Sequence, residues 1–120
     1  MKLPSAITTL FAALLVLVVS DLRAEPPPYP GQPHINAALK HLKAAKEKAA
    51  DDANAALGSL DSAAGALSGA IHNKGTYQPI ARQLVAEAKR ELAKGEVEAA
   101  LHKIDEAIEN VNRAGQTGEH

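Results

Sequence analysis

Residues 44 to 70, AAKEKAADDANAALGSLDSAAGALSGA, align with residues 87 to 114, EAKRELAKGEVEAALHKIDEAIENVNRA, once one extra residue is allowed at Gly95. The match places Ala45, Lys46, Ala50, Ala55, Ala56, Leu57, Asp61 and Ala63 on Ala88, Lys89, Ala93, Ala99, Ala100, Leu101, Asp105 and Ala107. Self-similarity at a period of about 40 residues marks one helical supersecondary unit used twice. The chain is therefore expected to build its domain from two equivalent halves.

From His34 onward the apolar residues recur at helical spacing, through Ile35, Leu39, Leu42 and Ala49, then Ala53, Leu57, Leu60, Leu67 and Ile71. The second half repeats the pattern through Ile80, Leu84, Ala88 and Leu92, then Val97, Leu101, Ile104, Ile108 and Val111. Nothing alternates as a half-buried strand would. Asn73-Lys74-Gly75 and Lys94-Gly95 are helix stops, because glycine supplies the left-handed residue just past a helix end, and Thr76 with Pro79 suits a restart. Between Ala49 and Ala53 only Asp51 and Asp52 suggest a boundary, through an N-cap carboxylate, and a continuous helix over 34–72 is locally feasible. The duplication favours a break, since Asp51 falls where the second copy has Lys94 and Gly95. Helices are expected over 34–50, 52–72, 77–93 and 96–113, giving an all-α fold: an up-down four-helix bundle made of two duplicated helical hairpins. The domain would span 34–114, followed by a flexible tail over 115–120. Its interior is mostly Ala with some Leu and Ile, so little area is buried per residue and the helices must approach closely. Gly58, Gly65 and Gly69 weaken the second helix further.

The segment before the domain has another purpose. Residues 1–24 carry a charge at Lys2, an apolar run from Ile7 to Val19 and the small-residue exit Leu22-Arg23-Ala24, the layout of a secretory signal peptide. Cleavage is expected after Ala24, with Ser20 as the alternative. The apolar run is shorter than the roughly 20 residues that span a bilayer, so no membrane association is expected after cleavage. Residues 25–33, EPPPYPGQP, read as a proline-rich linker of polyproline and turn character, with Pro33 suited to the first helical position. The chain contains no cysteine, which an oxidising compartment permits, and the bacterial periplasm is the expected location, with secretion as the alternative.

A net charge of −1 with interspersed signs leaves no field to gather nucleic acid. Lys40, Lys43, Lys46 and Lys48 make the first helix basic, and Glu96, Glu98, Asp105, Glu106 and Glu109 make the last one acidic, as solvated faces attracting each other across a bundle would be. Catalytic chemistry finds no foothold. Ser59 and Ser62 have no histidine close in sequence to act as base, the carboxylates lie on a solvated face, and no glycine-rich loop follows a strand. The chain is not expected to be an enzyme.

Five histidines remain: His34, His41, His72, His102 and His120. Imidazole is a common ligand of late transition ions, and helices bring ligands together at i,i+4 or across a hairpin. His34 and His41 stand about 10.5 Å apart along one helix and cannot share an ion. In an antiparallel hairpin the start of the first helix lies beside the end of the second, which brings His34 toward His72, with Asn73 as an added oxygen ligand. His102, with Glu98 and Glu106 one turn to either side, forms the second candidate. Plain exposed polar positions are the alternative for both.

The segments His34-Ile35-Asn36-Ala37-Ala38-Leu39-Lys40-His41 and Ala100-Leu101-His102-Lys103-Ile104-Asp105-Glu106-Ala107-Ile108-Glu109 resemble the small metal-binding protein family of bacterial periplasms. The resemblance implies an exported, cysteine-free bundle of Ala-rich amphipathic helices that binds copper and other divalent ions through histidines, here at His34, His41 and His102. Most positions that are histidine in that family are Ala, Lys or Ser in this chain, so an ion capacity either lost or reduced to one or two weak sites is implied. The leading expectation is thus loose binding or buffering of Cu(II), Ni(II) or Zn(II). The alternative is a metal-independent structural or protein-interaction module, including a homodimer, and a weaker third is a stress-related holdase.

Overall fold

The computed structural model describes residues 27–70 and 75–117. The leader, the start of the proline-rich strip, Ile71, His72, Asn73 and His120 lie outside them. Among the described residues the chain forms α1 (Pro33–Lys48), α2 (Ala53–Gly69), α3 (Tyr77–Ala93) and α4 (Val97–Thr117). Each helix packs against its neighbours in sequence, and α4 closes the ring against α1. This is the up-down four-helix bundle expected from the duplication.

The buried positions explain the arrangement. Along α1 the seam runs through Ile35, Ala38, Leu42 and Ala45 to Ala49 just past its end, and along α2 through Ala56, Leu60, Ala63 and Leu67 to Ala70. On α3 it is made by Gln78, Ala81, Val85, Ala88 and Leu92, and on α4 by Ala100, Ile104, Ala107, Val111 and Ala114. Spacings of three and four alternate along every helix, which is the period of a bundle seam. Along most of each seam a large side chain alternates with alanine. Backbones can then approach closely without leaving voids. The duplication holds position by position: Ala38, Leu42, Ala45 and Ala49 correspond to Ala81, Val85, Ala88 and Leu92. Likewise Leu60, Ala63, Leu67 and Ala70 correspond to Ile104, Ala107, Val111 and Ala114, and all are buried.

Several expected core residues stand outside this seam. Ala53 is exposed, Ile80 is 40% exposed, and Leu57, Val97, Leu101 and Ile108 pack partly buried on the seam's shoulders. A 3.6-residue stripe is wider than the strict seam, so the sequence pattern takes in these shoulder positions.

The helix ends follow local chemistry. Asp52 does break the first hairpin: its Oδ1 accepts from the Ala55 N–H at 3.1 Å, and its carbonyl accepts from the Ala56 N–H at 3.0 Å. A single rod through Asp51 and Asp52 is therefore excluded. The α3–α4 turn uses glycine instead, with Gly95 at φ +83°. Here the Glu96 N–H donates to the Glu91 carbonyl at 2.9 Å and the Gly95 N–H to that of Leu92 at 3.0 Å, the paired bonds of a Schellman turn.

The proline-rich strip ends inside the packed structure. The Asn36 side chain clasps Tyr29 on both sides, accepting from its N–H at 3.1 Å and donating to its carbonyl at 2.8 Å. The Tyr29 hydroxyl donates to Asn112 Oδ1 at 2.8 Å, and the buried Gln32 donates through Nε2 to the Gly115 carbonyl at 3.0 Å. Beneath this strap α4 continues to Thr117, past the end expected from the sequence, and Gly115 is buried.

Candidate ion-binding histidines and the hairpin seam

His34 occupies the first turn of α1, and its imidazole lies against Gly69 at the end of α2. A Cβ built on Gly69 would stand 2.7 Å from His34 Cε1 and 2.8 Å from Nδ1. The hairpin therefore sets the start of the first helix beside the end of the second, as the topology requires. His72, three residues beyond Gly69, and Asn73 lie outside the described residues.

Continuing the alignment of the two copies places His34 on Tyr77 and Gly69 on Arg113. The second hairpin makes the corresponding contact, with the Arg113 guanidinium 5.8 Å from the centre of the Tyr77 ring. Both hairpins thus seat a ring from their first turn on the last turns of the returning helix.

His41 is half-buried on α1, two turns from His34. His102 lies on the solvent side of α4 with its side chain 78% exposed, and its Nε2 is 3.2 Å from Glu106 Oε1. The i,i+4 spacing aims imidazole and carboxylate at one point. Glu98 is exposed in the first turn of α4. No three His, Asp or Glu side chains gather around a common point among the described residues. The structure thus joins His102 to Glu106 and leaves Glu98 apart.

Two ion pairs sit between the hairpins. Lys46 of α1 meets Asp105 of α4, Nζ to Oδ1 at 2.8 Å, and Lys89 of α3 pairs with Asp61 of α2. Lys46 corresponds to Lys89 and Asp61 to Asp105, so the duplication exchanges the two pairs. They are also the only charged residues among the identities that the two copies share. That retention is the signal in the sequence that marks them; the attraction expected between the first and last helices takes in Lys46 with Asp105 but not Lys89 with Asp61.

Two buried amides also join the hairpins at one end of the bundle. Gln78, at the start of α3, donates to the Leu67 carbonyl in the last turn of α2. Gln32, preceding α1, donates to the Gly115 carbonyl in the last turns of α4. Each hairpin therefore satisfies a terminal helix carbonyl of the other. No buried side-chain nitrogen or oxygen lacks a partner among the described residues.

Within the second hairpin Lys103 Nζ lies 2.9 Å from Glu87 Oε1, and Gln83 Nε2 donates to Glu87 Oε2 at 3.1 Å. Hydrogen bonds from Lys103 and then Gln83 hold the Glu87 carboxyl below the usual carboxylate range, and Glu87 in turn raises the Lys103 ammonium.

No helix of the described residues is long and apolar enough to cross a membrane. No protein-family model, curated protein or solved structure matches the chain.

Proposed function

We propose that the protein is an exported, non-catalytic helical bundle that loosely binds divalent transition ions, Cu(II), Ni(II) or Zn(II), at exchangeable sites on its surface. The observation that carries this reading is the exposed His102–Glu106 pair, Nε2 to Oε1 at 3.2 Å. An ion can replace that contact by taking the imidazole nitrogen and one carboxylate oxygen, with water completing its shell. Two protein ligands give weak, fast-exchanging binding, which suits buffering better than storage. His34, held at the end of the first hairpin near the chain that continues toward His72, is the second candidate position. The resemblance to the small metal-binding proteins points the same way.

Titrating the mature protein with Zn(II), followed by the imidazole proton resonances, tests the reading. Saturable shifts at His102 that disappear in His102→Ala, with Glu106→Gln weakening binding severalfold, support it. Unmoved imidazole resonances at millimolar ion overturn it.

A metal-independent interaction module is the second reading. The reciprocal pairing of the two hairpins favours it, because such an interface is already the kind that identical copies form.

A further inference from the structure

We infer that the α1–α2 and α3–α4 hairpins are separable, complementary halves, so that a second copy of this chain can supply the partner of either one and form a hairpin-exchanged dimer. The surface concerned is the seam between hairpins, and the partner is the same chain.

In a two-fold interface between identical molecules, residue i of one meets j of the other and j meets i. The duplication reproduces this relation within one chain. Lys46 reaches Asp105 while their counterparts Lys89 and Asp61 reach each other, and the alanine-lined positions match from Ala38 with Ala81 to Ala70 with Ala114. At the end of the bundle Gln78 bonded to the Leu67 carbonyl and Gln32 bonded to that of Gly115 also run between the hairpins, although these residues are not counterparts in the alignment. Every one of these contacts runs from one hairpin to the other, so none depends on both hairpins belonging to the same chain. The strap from Tyr29 to Gln32 travels with the first hairpin and meets α4 of whichever chain provides it.

What favours the closed monomer is the covalent connection, which acts as a local concentration on the order of millimolar. Exchange therefore becomes significant when the chain refolds at high concentration, or when closure within one chain is penalised selectively. The ion pairs offer that penalty. One full-length variant carries Lys46→Glu and Asp61→Lys, reversing the first hairpin. The other carries Lys89→Glu and Asp105→Lys, reversing the second. Closed alone, each places like charges at both crossings. Exchanged with each other, they place opposite charges at all four.

The two variants are unfolded, mixed and refolded together, then weighed by native mass spectrometry and sedimentation. The expected result is a heterodimer in about tenfold excess over either homodimer, melting closer to the wild type than either variant alone. Folding of the mixture when neither variant folds alone also supports exchange. A mixture that stays monomeric while both variants are helical overturns it. If neither the variants nor their mixture fold, wild type refolded at millimolar concentration with a mass-tagged wild-type copy decides. Mixed-mass dimers that survive dilution support exchange, and monomers alone refute it.

Discussion

The ring of Tyr29 lies against Gly115: a Cβ at that glycine would stand 2.7 Å from both Cγ and Cδ2 of the tyrosine. A residue ahead of the first helix thereby closes over the last turns of the fourth. Gly115→Ala is expected to push the ring away and weaken the Tyr29–Asn112 and Gln32–Gly115 bonds with it. A loss of about 1–3 kcal/mol is expected, read as a lower urea midpoint. Tyr29→Phe, which loses only the hydroxyl bond, should cost less.

Gly58 and Gly65 sit in the interior of α2, and a Cβ at either would have nothing within 4 Å, so alanine meets no obstacle there. Each substitution to alanine should stabilise the bundle by up to about 1 kcal/mol, measured by chemical denaturation. Gly69→Ala should not share the gain, because His34 occupies the space.

The two hairpin turns depend on different residues. Asp52→Ala removes the side-chain cap on α2 and should cost about 1 kcal/mol. Gly95→Ala forces a side chain into the left-handed region and should cost a comparable amount. Asp52→Asn should retain most of the stability, since its amide oxygen can accept the same bond, and thermal melts of the three variants separate these effects.

The Glu87–Lys103 contact makes stability depend on pH at both extremes. Because the folded state lowers the carboxyl, its contribution is fully present above the unfolded carboxylate value and is lost as pH falls through the folded one. Because the folded state raises the ammonium, that contribution is present below the unfolded lysine value and is lost as pH rises through the folded one. Glu87→Gln should therefore lower the denaturation midpoint near neutrality and flatten both limbs. An unchanged acid limb would show that Glu87 contributes nothing to it.

The duplication and the helical spacing make the bundle legible in the sequence, and the break at Asp52 follows from comparing the copies. The strap is not legible there, because EPPPYPGQP carries no hydrophobic period and its docking depends on Asn36, Asn112 and Gly115, which are distant in sequence or chemically plain. Gln32 and Gln78 are likewise hidden, since a buried amide is indistinguishable from a surface one until the carbonyl it serves is located. Among the candidate ligands, the i,i+4 contact of His102 with Glu106 follows directly from helix geometry. Assembly across helices depends on rotation about each axis, which spacing alone leaves undetermined.

The equivalence of the two hairpins is tested most directly by charge-reversal cycles at both crossings, Lys46→Asp with Asp105→Lys and Lys89→Asp with Asp61→Lys. Each single reversal is expected to lower the melting temperature by about 2–6 °C, each double reversal to recover most of that loss, and the coupling to be equal at the two sites. Coupling at only one crossing, or at neither, would contradict a bundle closed by two equivalent crossings.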